Sequence, residues 1–274
     1  MNTRHLSLNL ATAQRRPWLW AVWGALWGAV LSTLCWAPAR WLAWGMAEAS
    51  QGRVLLQSAR GTVWQGSAQL SLSGGAGSRD LQTLPGRMAW TIGLGTHGLA
   101  LSLHADCCMS APLQWRVTAG MGQWGLHLDP HQSHWPARLL TGLGAPWNTL
   151  QVEGQMLLRT EGLHIQWAAG RLQWQGLLEL TANDVASRLS TLRPMGSYQV
   201  KVTSPSGNTP TATPQVELST FSGALRLSGQ GQWLGDRLRF AGEASAAEGQ
   251  EAALSNLLNI IGRRDGSRSL LSLG

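Results

Sequence analysis

The densest cluster of side chains able to bind a metal or move protons is His127, Asp129, His131 and His134. If this stretch is a strand, His127 and Asp129 project from one solvent face. His131 and His134 then follow in a turn, an arrangement that makes metal ligation geometrically possible. Pro130 and Pro136 mark the same stretch as a loop at a strand end, where solvated histidines are common, so no metal ligand is assigned. Cys107 and Cys108 are adjacent, and Cys35 lies in an apolar run. In an oxidising compartment the adjacent pair offers a vicinal disulfide, two free thiols or an intermolecular bridge. The spacing favours unpaired cysteines or an unusual bond, and the C-x-x-C of a redox enzyme is absent. Glu153, Glu161, Glu179 and Glu217 are isolated carboxylates on polar strand faces or in turns. No nucleophile elbow, P-loop or dinucleotide fingerprint occurs. The chain is therefore expected to be non-enzymatic, with no catalytic residue, no metal, no cofactor and no small-molecule substrate.

Charge points away from nucleic acid. The formal net charge is +7, but Arg4, Arg15 and Arg16 precede the apolar run, and no acidic residue occurs before Glu48. The remaining basic residues, all arginine except Lys201, are scattered singly without forming a basic helix or patch. Charged residues make up only 13% of the chain, while Gly accounts for 33 of 274 residues. That combination suits a sheet with tight turns and excludes disorder, which needs high charge and little apolar content.

Residues 17–36, PWLWAVWGALWGAVLSTLCW, contain no charge. A helix of roughly 20 such residues crosses a hydrocarbon core of about 30 Å. Arg15 and Arg16 immediately before it keep the N-terminus cytoplasmic by the positive-inside rule. Trp18 and Trp20 at one end, and Trp36, Trp41 and Trp44 at the other, resemble interfacial aromatic belts. The competing reading is a cleaved signal peptide ending near Ala37-Pro38-Ala39, but the apolar run exceeds the usual h-region of about 7–15 residues. The expected organisation is a cytoplasmic N-terminus over 1–16, a transmembrane anchor over 17–36, a juxtamembrane segment over 37–51 and an exported β-rich domain over 52–274. Pro38 to Ser50 reads as a short helix whose Trp41, Leu42 and Trp44 face lipid or the domain.

Past residue 52 the apolar periodicity becomes two. Trp64, Gly66, Ala68, Leu70 and Leu72 share one face, and the pattern recurs through Met88–Leu94, Leu99–Leu103, Trp115–Ala119 and Trp124–Leu128. It continues through Leu163–Trp167, Leu172–Leu180, Tyr198–Val202, Val216–Leu218, Leu225–Leu227 and Leu238–Phe240. A period of two with polar alternates specifies strands buried on one face only. Turns such as Gly95-Thr96-His97-Gly98, Ala119-Gly120-Met121-Gly122 and Ala168-Ala169-Gly170 join them as hairpins. Three helical interruptions are expected: a turn capped by Ser133 through Pro136 to Leu140, a helix capped by Asn183 or Asp184 through Val185 and Leu189, and an amphipathic helix carrying Leu254, Leu257, Leu258 and Ile261. Ser204 to Pro214 reads as a mobile loop. The fold class is mainly β: a single N-terminal transmembrane helix followed by an antiparallel, curled or sandwich-like β-meander of about ten strands with a few short helices. An apolar face of this size closes on itself, or it leaves a groove for a lipid tail or a partner segment.

Several stretches resemble the type II secretion system protein N (general secretion pathway protein N) family. They are Gly61-Thr62-Val63-Trp64-Gln65-Gly66, Met195-Gly196-Ser197-Tyr198, the run from Gly223 to Trp233, and the C-terminal Leu257-Leu258-Asn259-Ile260-Ile261-Gly262. The resemblance implies an accessory, non-catalytic inner-membrane component that aids export of folded proteins across the outer membrane. It also implies a periplasmic β-domain and, as partners, other inner-membrane subunits of the secretion system. It supplies no catalytic residues. Physically, Trp64 reads as a core anchor, while Gly61 and Gly66 permit a turn and close strand approach. The alternative is a membrane-tethered lipid-binding or lipid-transfer protein with an apolar β-groove.

Overall fold

The computed structural model describes residues 17–95, 98–120, 122–168, 171–204, 213–234 and 237–274. The tips of the three expected hairpin turns and most of the 204–214 segment lie outside the described residues. The chain divides into two compact units, Met1–Ala37 and Pro38–Gly274.

The first unit holds helix α1, Pro17–Cys35. It coincides with the uncharged run to within one residue and exposes Trp18, Trp20, Trp23 and Trp27. Among the described residues, no helix is long and apolar enough to cross a membrane.

The second unit is one antiparallel sheet of sixteen strands. Helix α2 (Ala39–Ala49) precedes β1 (Val54–Gly61), β2 (Gln65–Ser73), β3 (Leu81–Thr83), β4 (Met88–Gly95), β5 (Gly98–Ala105), β6 (Leu113–Gly120), β7 (Gln123–Leu128) and β8 (His131–Pro136). A 3-10 turn (Ala137–Leu143) and the single-turn α3 (Trp147–Leu150) lead to the long pair β9 (Glu153–Ala168) and β10 (Arg171–Ala186). Then come β11 (Gly196–Thr203), β12 (Gln215–Gly223), β13 (Leu225–Leu234), β14 (Arg237–Ala246), α4 (Glu251–Ile261), β15 (Arg263–Asp265) and β16 (Arg268–Leu273). Spatial order follows chain order, with small departures: β3 and β8 pair off the main path on β2 and β9, and β15 lies outside β16. The meander is as expected, but it stays open instead of closing as a sandwich, with β1 and β15 at its ends. Helices do the covering that a second sheet would have done.

Two cores result. In the first, Leu56, Leu84, Met88, Trp90, Leu113 and Leu163 gather beneath the 3-10 turn, which contributes Leu139, and beneath α2, which packs Leu42 and Ala43 against them. In the second, α4 buries Leu254, Leu257 and Leu258 against Met195, Tyr198, Leu225 and Ala244. The spacing of those three leucines puts them on one helical stripe. Ser269 Oγ donates to the carbonyl of Leu258 (2.6 Å), tying β16 to this helix.

The hairpin β9–β10 belongs to both cores. Its distal half, beyond Gly162 and Gly176, pairs β9 with β7, whereas the proximal half pairs β9 with β8 and β10 with β11. The register slips between Gln175 and Leu177, where Gly176 adopts φ +110 and Gly162 φ +54. A Cβ on Gly176 would sit 2.5 Å from the Gly162 carbonyl oxygen, so the bend needs glycine there.

One expected helix starts later than its expected cap, and another begins as strand. His131–Pro136 is β8, paired with β9 through His131↔Thr160 to Pro136↔Gln155, and the helical turn begins only at Ala137. Ser133 does not cap it; buried in the ladder, its Oγ accepts from Trp135 Nε1 (2.9 Å). Residues 183–186 continue β10, with Val185 paired to Gly196 and Asp184 bulged at φ +52. In both places a full cross-strand ladder satisfies more backbone groups than one capped turn would. Trp64 is not the core anchor: it is 38% exposed, whereas Trp90 is 4% exposed and donates its indole N–H to the Val63 carbonyl (3.0 Å). Gly66 is required because a Cβ there would lie 2.5 Å from the Trp90 ring.

Leu258→Ala should cost about 2–5 kcal/mol by cavity formation, and Gly176→Ala roughly 1–3 kcal/mol by backbone strain. Both are read by urea unfolding monitored through tryptophan fluorescence. Exposed Ile260→Ala should stay within about 0.5 kcal/mol.

Candidate functional site

The hairpins β4–β5, β6–β7, β9–β10 and β13–β14 all turn at one end of the sheet, while the 3-10 turn, α3 and α4 sit at the other and α2 runs along β1 from a bridge between Pro38 and Thr62. Burial along the apolar face therefore falls from the helix end to the hairpin end. Trp90, Leu103 and Leu113 form one cross-strand row, with Trp90 and Leu113 buried. The row Leu94, Leu99, Val117, Leu126, Ile165 and Trp174 lies nearer the tips, and its first member is 88% exposed. Beyond it Trp124 stands directly across from Trp167, and both indoles are exposed. Among the described residues nothing covers this Trp-bearing apolar rim.

The opposite face of the same strands carries a polar cluster that only part of the sequence cluster joins. His127 Nε2 donates to Asp129 Oδ1 (2.9 Å), and Arg116 forms an ion pair with the same oxygen. His127 Nδ1 lies 3.2 Å from Nδ1 of His164, its cross-strand partner, with ring centroids 4.1 Å apart. One ring donates and the other accepts across the Nδ1–Nδ1 contact, so the two rings cannot both carry a proton there. Burial chiefly, then the charges of His127 and Arg116, holds His164 below the ordinary histidine range. Arg116, His127 and His164 line one side of a hollow of about 440 Å³ between β5, β6, β7 and β9 that also meets Thr118, Gly125 and Gln166. Thr118 Oγ1 donates to the Gly125 carbonyl (3.4 Å), so the cluster can hold a proton and bind polar groups, while its one hydroxyl is turned to the backbone.

His131 and His134 lie apart from that cluster on β8. His131 is buried, its pKa lowered by desolvation and its Nε2 without a partner, whereas His134 is exposed. Among the described residues, no group of three or more His, Cys, Asp or Glu is placed to hold a metal. Cys107 and Cys108 are joined to each other in the β5–β6 turn. The Cys108 carbonyl accepts from His134 N (2.8 Å), fastening that turn to β8. Cys35 is free and exposed on α1. Glu153 pairs with Arg193 (3.1 Å), and Glu161 pairs with Arg159. Glu179 and Glu217 flank Lys201 in adjacent strands, a cross-strand charge row that fixes register. These carboxylates serve the sheet.

Sequence reasoning missed His164, which is remote in the chain from His127. The signal was parity alone: both histidines occupy polar alternates of one-sided strands, and only the β7–β9 pairing makes them neighbours.

Residues 52–270 match the family model described as type II secretion system (T2SS), protein N. The chain belongs to that family. The matched span runs from the residues just before β1 into β16 and takes in the strands of both cores, the hairpin rim and the histidine pair, but not α2. It involves the protein in type II secretion. No curated protein and no solved structure matches the chain.

The lowered pKa values of His164 and His131 set a pH dependence. With each folded pKa below the unfolded value near 6.5, the unfolded chain binds more protons below that pH. Stability should therefore fall on acidification from pH 7.5 to 5.5, read as a lower urea midpoint. His164→Gln should flatten that fall, and an unchanged slope in this variant would assign it to His131.

Proposed function

We propose that the chain is an accessory inner-membrane component of the type II secretion pathway, aiding export of folded periplasmic proteins through protein–protein contacts and without catalysis. The observation that supports this most is the family match across the whole sheet, joined to what the sheet offers: broad faces, open edges and an uncovered apolar rim. In this reading α1 is a single-pass anchor with a cytoplasmic N-terminus, and the β-domain stands in the periplasm. Nineteen helical residues span roughly 28 Å, close to the thickness of a hydrocarbon core. Arg15 and Arg16 precede them. The tryptophans that lower the helix's apolarity are residues that favour the membrane interface.

A second reading rests on the exposed rim. Leu94, Trp124 and Trp167 could receive an acyl chain, making the domain a tethered lipid-binding protein. Phospholipid retained through gentle purification, and lost in Trp124→Ser/Trp167→Ser, would favour it.

C-terminally tagged chain, crosslinked in membranes and purified in mild detergent, should bring down other inner-membrane secretion subunits. Deleting the gene should lower the export of folded substrates while leaving their periplasmic pool intact. A tag digested by protease in intact spheroplasts would agree with the periplasmic assignment. A solitary chain with normal export would sink the proposal.

A further inference from the structure

An open sheet must deal with its unpaired edges, because a row of free N–H and C=O groups is a template for another strand. Two of the edges here are blunted. In β1 the register breaks between Gln57 and Arg60, Ser58 adopts φ +50, and its carbonyl accepts from Arg87 Nη2 (2.9 Å). β15 is three residues long, and all three, Arg263, Arg264 and Asp265, are charged. Short, bulged and charged edges resist pairing.

A third edge lies inside the strand order. β11 pairs with β10 only from Leu177 to Val185, so residues 171–176 of β10 are laddered to β9 on one side alone among the described residues. β11 itself ends at Thr203, paired to Leu177, and the ladder to β9 shifts register next to that pair, at Gly176. This edge reads Arg-Leu-Gln-Trp-Gln-Gly, without proline and with one charge, at the tip. The bulge and the charge stand at the two ends of the segment, and residues 172–175 between them carry no charge, no proline and no register shift.

We propose that this edge pairs with the same edge of a second copy of the chain, antiparallel and centred on Gln173, to give a two-fold dimer with one sheet continuous across it. The segment is self-complementary in that register. Gln173 faces Gln173 of the other copy on the axis, position 172 faces Trp174, and Arg171 faces Gln175. The two Arg171 positions then lie four residues apart along the edge, about 13 Å, beyond the physiological screening length of about 8 Å. The apolar rows also continue across the axis. The row ending Leu126–Ile165–Trp174 meets position 172 of the second copy, and the row Trp124–Trp167–172 meets its Trp174. An isologous contact of this kind closes at two copies and does not propagate.

The register makes the test specific. Full chain in mild detergent, with Cys35→Ser as background, carries Gln173→Cys, Gln175→Cys or, remote on β13, Ser228→Cys. Under mild oxidation Gln173→Cys should form dimers at least tenfold faster than either control. Two thiols at 175 would be about 13 Å apart, outside the reach of a disulfide. Gln173→Asp, which sets two carboxylates face to face on the axis, should weaken dimerisation tenfold or more in sedimentation while the circular dichroism stays unchanged. Equal crosslinking at 173 and 175, undiminished dimerisation of Gln173→Asp, or capture of a different protein by Gln173→Cys in cells would each overturn the proposal.

Discussion

The bend in the β9–β10 hairpin is the constraint on which the rest of the sheet depends. Each of its two strands is sixteen residues long; β9 serves the first core, and β10 serves both. Trp174 and Ile165 pack against the first, and Ala182 and Val185 belong to the second. β7 and β8 follow one another along one edge of β9, on either side of Gly162, while β10 takes β11 over only part of its length. Two glycines at positive φ stand where the β9–β10 ladder shifts register between these halves. With that shift come the distal hairpin rim, the free half of β10 and the division of one sheet into two packed regions.

Covering is the second constraint. A one-sided sheet needs something apolar over its hydrophobic face, and here short amphipathic pieces provide it over part of its length only. The 3-10 turn and α4 lie where strands enter and leave the helix end, and α2 runs along β1. Nothing comparable covers the hairpin end among the described residues, so burial decreases along each strand. The polar face has its own internal order. Glu179, Lys201 and Glu217 alternate in sign across three strands, and His127, His164, Arg116 and Asp129 share protons and charge across three others. Exposed pairs of this kind add little stability, about 0–1 kcal/mol each; their larger effect is on register, because a one-residue slip moves each set to the apolar side.

Much of this was legible in the sequence. The period-two runs located the strands, the mainly antiparallel meander followed from their turns, and the Leu254–Ile261 stripe gave the last helix. What failed did so where long-range pairing overrode local signals. Ser133 and Asn183-Asp184 look like caps in isolation, yet both segments find strand partners that no local pattern reveals. Trp64 and Trp90 carry the same periodic signal; only the fold decides that one is buried and the other lies at the rim. The histidine pair was half visible, because His127 and Asp129 are two residues apart in one strand, while His164 arrives from a distant strand. Closure stayed open in the sequence because periodicity states that a face is apolar, not whether a sheet or a helix will cover it.

Nearly every strand in this sheet pairs with the strand made just before it. Such an architecture can be assembled in the order of synthesis, since each arriving segment meets a partner already in place and few contacts wait on the C-terminus. Loop-closure entropy stays small at each step, and the cost of ordering is spread over many short closures. The long β9–β10 hairpin interrupts this progression, because β8 must be held until β9 comes to receive it. A chain stalled there would present a first core still lacking Leu163, Ile165 and Trp174, a β8 without its β9 ladder and no second core. The midpoint of the chain is thus the point of greatest exposure to misassembly, and the glycine bend that organises the finished sheet is also where its construction can halt.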